Sequence, residues 1–405
     1  TAPIFLPNQI GGYMPAEPGK PALEGKRGEP EDGQKSPNAT LVALSKGYVV
    51  ASPGARGRTE PTGKAPAAIV DLKAAVRYLK ANDKAMPGDA KKIISNGTSA
   101  GGAMSALLGA TADQKDYEKY LKALGAADGS DKVFAVSAYC PITDLDHADM
   151  AYEWQFNGVN DYKKMNISML DYRVKRELVA GTLTDDEKKL SDLLKPLYPA
   201  YLNSLNLKSP EGKPLTLDAQ GNGSFKNHIT GLLAQSAQTQ LDAGKDLSDR
   251  TWLTVRNGKV VSVDFDAYAK AAGRQKTPPA FDGVDLSAGE NQLFGTNTVD
   301  KRHFTAFSMQ HNTAANAEIA DEETIKIMNP LNYIGKPGVS LPQNWRIRVG
   351  TNDRDTSLAV SAVLAAKLQN NGQTVDYALP WDVGHGGDYD LDELFAWMNQ
   401  VSRSA

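Results

Sequence analysis

Three short stretches carry residues whose types and order could do nucleophilic chemistry: Gly97-Thr98-Ser99-Ala100-Gly101, Asp353-Arg354-Asp355 and Gly384-His385-Gly386-Gly387. A serine hydroxyl attacks a carbonyl only when a base takes its proton, and an imidazole does so in the right tautomer only when an acid holds its other nitrogen. The order serine, aspartate, histidine fits a nucleophile placed on a sharp strand-to-helix turn, where glycines on either side let the chain bend and expose the hydroxyl. The pentapeptide alone is a weak signal, because a small-residue helix start reads the same way. Its flanks strengthen it: Lys92-Ile93-Ile94-Ser95 before it is strand-like, and Ala103 to Thr111 after it is helical.

Ser99 is therefore the expected nucleophile, His385 the base and Asp353 the acid. Asp355 competes for the acid role from two positions on, although it equally fits a helix N-cap ahead of Ser357. Of the other histidines, His147, His228 and His311 fall in a long middle segment and suit surface or pocket positions; His303 is ambiguous. The oxyanion formed on attack needs two preorganised N–H donors. Ala100 should give one, and Gly11 of the Gln9-Ile10-Gly11-Gly12-Tyr13 stretch the other, unless that glycine pair is a plain turn.

These residues need a scaffold, and strands alternate with helices up to about Thr143. Strand-like runs lie at Ala2-Pro3-Ile4-Phe5-Leu6-Pro7, at 47–52 and at 133–139, with an amphipathic helix over 66–82. The rhythm breaks between 144 and 330, where polar helices such as Thr184 to Leu194 alternate with Gly/Pro/Asn-rich connections. It returns with strands at 345–349 and 375–379, a helix near 357–369 and a closing helix from Leu391. The expected fold is α/β, a mostly parallel sheet with helices on both faces, of the α/β-hydrolase fold. Residues 1–143 and 331–405 would form its core and 144–330 an inserted lid or cap. Both Asp353 and His385 would then follow strands at their carboxyl ends, the edge where open α/β sheets build sites.

Composition narrows the chemistry. With 405 residues, 41% hydrophobic and 23% charged, the chain has room for a large core and a buried pocket. A net charge of -3 without a basic block argues against nucleic acid, and no run reaches the ~20 apolar residues of a membrane span. Cys140, the single cysteine, excludes an intramolecular disulfide and a cysteine-based metal cluster and is expected as a small buried residue. Asp144, Asp146, His147 and Asp149 could suggest a metal site, but a solvated loop at the mouth of the lid explains them as well, so no metal and no cofactor is expected. The chain opens directly into a strand-like run, so a natural N-terminal segment is expected to be missing, with a lean toward a secreted or cell-envelope location. Oligomeric state stays open.

The elbow Gly97 to Gly102, the Asp353-Arg354-Asp355 pair, Gly384-His385-Gly386-Gly387, and Lys276-Thr277-Pro278-Pro279-Ala280-Phe281-Asp282 with Glu290-Asn291 together resemble the bacterial tannases over nearly the whole chain. The resemblance implies a serine esterase acting on galloyl esters as small-molecule substrates, with Lys276, Glu290 and Asp355 holding the hydroxyls of the ring. Carboxylates accept phenolic O–H groups and an ammonium stabilises a partly ionised phenol, so the set suits such a ring. An ordinary Lys276–Glu290 salt bridge is the plainer reading of that pair. Fungal tannases and related feruloyl esterases resemble a pattern with cysteines where Thr98 and Gly384 stand, which sets that variant aside. A bacterial feruloyl or other hydroxycinnamoyl esterase is the alternative. A prolyl-oligopeptidase type of peptidase usually adds a large N-terminal domain, and a non-catalytic binding module should have lost a member of the triad; neither fits as well.

Overall fold

The computed structural model describes residues 1–24, 36–170 and 173–403. Among the described residues ten strands run in chain order: β1 (Pro3–Pro7), β2 (Val49–Val50), β3 (Asp89–Thr98), β4 (Ala135–Tyr139), β5 (Asp161–Leu170), β6 (Arg173–Thr182), β7 (Leu253–Arg256), β8 (Lys259–Val263), β9 (Asn344–Arg348) and β10 (Thr374–Ala378). Six form one sheet in the order β10-β9-β4-β3-β1-β2, with each neighbouring pair parallel. The central strands β3 and β4 are near-continuous buried runs, as expected where both faces of a parallel sheet are covered. The fold is that of an α/β hydrolase.

The helix Ala67–Ala81 buries Ile69, Leu72, Val76 and Leu79 at helical spacing, as their pattern predicts. The helix Ala100–Ala110 is buried at every position, because it runs from the sheet edge into the layer that covers β3 and β4. It begins directly after Ser99 and not at Ala103. The strand expected over 47–52 pairs only at Val49 and Val50, an edge position.

Strand order reverses between β1 and β3, so the connections leaving these two neighbours diverge and open a crevice beyond their carboxyl ends. Ser99 stands at that switch point.

No described residue between 144 and 330 adds a strand to the sheet. This stretch does hold two antiparallel pairs that the sequence pattern did not suggest, β5 with β6 and β7 with β8. The apolar core runs without a break from the helix Leu358–Asn370 through Leu145–Phe156 to Tyr198, Phe225, Phe265 and Phe281. That continuity is reinforced by a fully buried ion pair, Arg274 with Glu153, whose shortest N–O distance is 2.6 Å. The guanidinium also donates to the Val159, Phe156 and Lys276 carbonyls, so the donors of this buried cation are matched by acceptors.

Asp144, Asp146, His147 and Asp149 are not a solvated loop. They open the helix Leu145–Phe156, and Asp144 and Asp149 are buried. Asp144 accepts from the Tyr201 hydroxyl and pairs with His147, while the Asn329 amide donates to both Asp144 and Asp146. Asp149 accepts the N–H groups of Phe281 and Asp282. Sequence pattern cannot reveal this, because Tyr201 and Asn329 lie 57 and 185 residues from Asp144 along the chain.

Candidate active site

Ser99 has φ +61° and ψ -121°, a left-handed conformation that is strained for a residue with a side chain. The turn is tight enough that a Cβ on Gly97 would lie 2.1 Å from the Gly101 carbonyl oxygen, and one on Gly101 would lie 2.4 Å from Asn8 Oδ1. Both glycines of the motif are therefore sterically required. Asn8, which follows β1 and was not singled out from sequence, ties the elbow to its neighbour strand. Its amide donates to the Asn96 and Gly101 carbonyls and to Ser105 Oγ, and its Oδ1 accepts the Ile10 N–H. An asparagine at the end of an apolar strand was the available signal.

The loops after β9 and β10 bring the other two residues in. Thr351 N–H donates to the Pro380 carbonyl and Asn352 N–H to the Val383 carbonyl, fastening the acid loop to the histidine loop. A Cβ on Gly387 would lie 2.1 Å from Thr98 Oγ1, so glycine lets the histidine loop lie against the elbow; Gly384 and Gly386 face open space. His385 Nε2 lies 2.6 Å from Ser99 Oγ, and Nδ1 lies 2.8 Å from Asp353 Oδ2. Asp353 is fully buried, and its second oxygen accepts the Asp355 N–H at 2.9 Å. Asp355 is no N-cap, since Ser357 takes that position and accepts the Ala359 N–H. Its Oδ2 instead lies 3.4 Å from His385 Nε2.

Burial works against a charged His385, but the Asp353 carboxylate, with Asp355 beyond it, outweighs burial and holds the imidazole pKa well above 6.5. Cys140 is buried, as expected. Burial pushes its thiol pKa up, and Sγ lies 3.4 Å from the Gly386 carbonyl oxygen and 4.0 Å from His385 Nε2.

Ser99 and His385 line a cavity of about 1160 Å³. Ala100 lines it too, and as the first residue of its helix it has an N–H without an intrahelical partner. Of the glycine pair, Gly12 lines the cavity together with Tyr13, while the Gly11 carbonyl closes the turn by accepting the Met14 N–H. The Gly101 N–H is committed to the Ile10 carbonyl.

The same cavity holds Lys276, Glu290 and Asp355. Lys276 Nζ is 4.0 Å from Asp355 Oδ1 and 4.1 Å from the centre of the Phe281 ring. Among the described residues Lys276 forms no ion pair with Glu290. Burial pushes the Glu290 carboxyl pKa up, against the pull of Lys276 and Arg58. Arg58 and Gln275 also face the cavity, where sequence reading gave neither a place, as does His311, which it assigned to a surface or pocket position. His303 lies elsewhere, fully buried between Asp282 and Asn312. His147 stacks on Tyr201, and His228 sits on the helix Ser224–Asp242.

A protein-family model described as BD-FAE matches residues 26–184. The tannase of Fusobacterium nucleatum is 52% identical, with a TM-score of 0.92 covering 99% of this chain and 86% of that one. The tannase of Lactobacillus plantarum is 45% identical, with a TM-score of 0.91 and the same coverage. A tannin acyl hydrolase solved in complex with ethyl gallate, also 45% identical, has a TM-score of 0.90 and covers 99% of this chain and 85% of its own. A search of curated proteins returns no match. At these identities over nearly its full length, the chain belongs to the tannase family, carboxylic ester hydrolases on the α/β-hydrolase fold.

Proposed function

We propose that this protein hydrolyses galloyl esters by acyl transfer to Ser99. His385, oriented by Asp353, takes the Ser99 proton as the hydroxyl attacks the ester carbonyl and returns it to the departing alcohol. The Ala100 N–H and an N–H of the Gly11-Gly12 turn, whose Gly12 lines the cavity, hold the oxyanion, and water activated by the same histidine releases the free acid. Lys276, Glu290 and Asp355 receive the ring hydroxyls. Without ring hydroxyls these half-buried charges lose partners, so a ring lacking hydroxyls should be rejected by a large factor.

One observation carries this reading: two carboxylates and an ammonium share a single cavity with the Ser99–His385 pair. The ethyl gallate and 3,4-dihydroxybenzoate bound by related tannin acyl hydrolases support a small phenolic ligand. A hydroxycinnamoyl ester is the second reading, favoured by the BD-FAE match and by a cavity roomier than one ring needs. Comparing kcat/KM on methyl gallate, methyl ferulate and p-nitrophenyl butyrate separates the two. Preference for gallate supports the proposal, preference for ferulate supports the second reading, and preference for butyrate removes the case for a phenol-specific pocket.

A further inference from the structure

Asp355 faces two ways. Its Oδ2 lies 3.4 Å from His385 Nε2, the nitrogen that must receive the Ser99 proton. Its Oδ1 accepts the Gln275 side-chain amide at 2.6 Å, with Lys276 Nζ 4.0 Å away. A shift of a few tenths of an ångström would bring Asp355 into hydrogen-bonding range of Nε2. An imidazolium held between Asp353 and Asp355 would then be the stable state, and both the base and the ring acceptor would be lost together.

We propose that Gln275 is a positioning residue that holds the Asp355 carboxylate toward the substrate ring and away from His385. This inference rests on the reading of Asp355 as a ring-hydroxyl acceptor. A neutral amide fits this role because it donates a hydrogen bond without cancelling the charge, whereas a lysine would neutralise Asp355 and a glutamate would repel it. The arm that carries Gln275 is itself fixed. The Tyr152 hydroxyl accepts the Gln275 and Lys276 N–H groups at 3.1 and 3.0 Å and donates to the Arg354 carbonyl at 2.9 Å, joining the two segments that bear Lys276 and Asp355.

The titratable groups facing His385 are Asp353, Asp355 and Cys140, and those facing Asp355 are His385, Lys276 and Glu290, with Arg58 beyond Glu290. Arg354, next in the chain, bonds the Ala272 carbonyl.

The test is Gln275→Leu, apolar and without a donor, beside Gln275→Glu as a second variant of nearly the same shape as glutamine. The expected result is a KM for methyl gallate raised about 10-fold with a smaller change in kcat, and an unchanged KM for p-nitrophenyl butyrate. The acid limb of kcat/KM on p-nitrophenyl butyrate should move up by about one pH unit, and fall to or below its wild-type position in the double variant Gln275→Leu/Asp355→Asn, which also removes the Asp355 charge from beside His385. An acid limb that stays put in both single variants, or that stays shifted in the double variant, overturns the proposal, as does an unchanged KM for gallate. Failure of the galloyl reading itself would register separately, as a wild-type enzyme with no preference for gallate over butyrate.

Discussion

Ser99 and His385, proposed to react, share one cavity with Lys276 and Glu290, proposed to bind the ring, but the two sets are held by different means. Ser99, Asp353 and His385 each follow a strand of the six-stranded sheet, and their positions come from backbone geometry: a strained φ at Ser99 and loop-to-loop hydrogen bonds after β9 and β10. Lys276 and Glu290 lie outside that sheet, on a loop and on the short helix Gly289–Leu293. Side-chain networks hold them there: Arg274 on Glu153, Tyr152 on the Gln275 and Lys276 N–H groups, and Asn291 on Asp282. The proposed reacting centre is thus set mainly by main-chain geometry, with glycine required at Gly97 and Gly101, and the proposed ring site by side-chain networks that a single substitution can undo.

The sharpest test of this contrast removes the proposed nucleophile. Ser99→Ala should lower kcat on methyl gallate by about 10⁶-fold while thermal unfolding stays near wild type, because the elbow geometry does not depend on the hydroxyl. Asp353→Asn should cost about 10⁴-fold in kcat by loss of the correct tautomer, again with the fold intact. On the other side, Lys276→Ala should reduce kcat/KM on methyl gallate by about 10²-fold and leave p-nitrophenyl butyrate nearly unchanged. Equal losses on both substrates would break the division between the two regions.

A stability measurement reaches the networks directly. Glu153→Ala leaves the Arg274 guanidinium buried and unpaired, and should destabilise the protein by about 3–5 kcal/mol in denaturant unfolding. Thr184→Ala, which removes a capping box at the start of the surface helix Asp185–Leu194, should cost only about 1 kcal/mol. The pH profile sharpens the comparison further. His385, the proposed base, would work only when neutral, and its pKa is raised, so kcat/KM should fall with decreasing pH through a midpoint above 6.5. A midpoint at or below 6.5 would mean that Asp353 and Asp355 do not act on His385 as their geometry requires.

Much of the fold and of the reacting centre is legible in the chain alone. The elbow could be read because a nucleophile at a strand-to-helix turn forces glycine at fixed positions, and Gly97 and Gly101 prove to have no room for a Cβ. The alternation of strand and helix pointed to the parallel sheet, since local periodicity reports which faces are covered. The proposed ring-binding set was suggested only by family resemblance, because nothing in the spacing of Lys276, Glu290 and Asp355 says that they meet.

What sequence alone determined is therefore local: the turn at Ser99, a helix expected over 66–82 and found at Ala67–Ala81, and the order of the serine, aspartate and histidine proposed to react. Tertiary structure decided between Asp353 and Asp355 as the partner of His385 Nδ1, buried Asp144 and Asp149 in networks with distant partners, and brought Gln275, Tyr152 and Arg58 to the site. The physical reason is range. Backbone propensity and amphipathic period act over a few residues and leave their mark in neighbouring positions, whereas a hydrogen bond such as that of Gln275 with Asp355 joins groups 80 residues apart and exists only once the chain has packed.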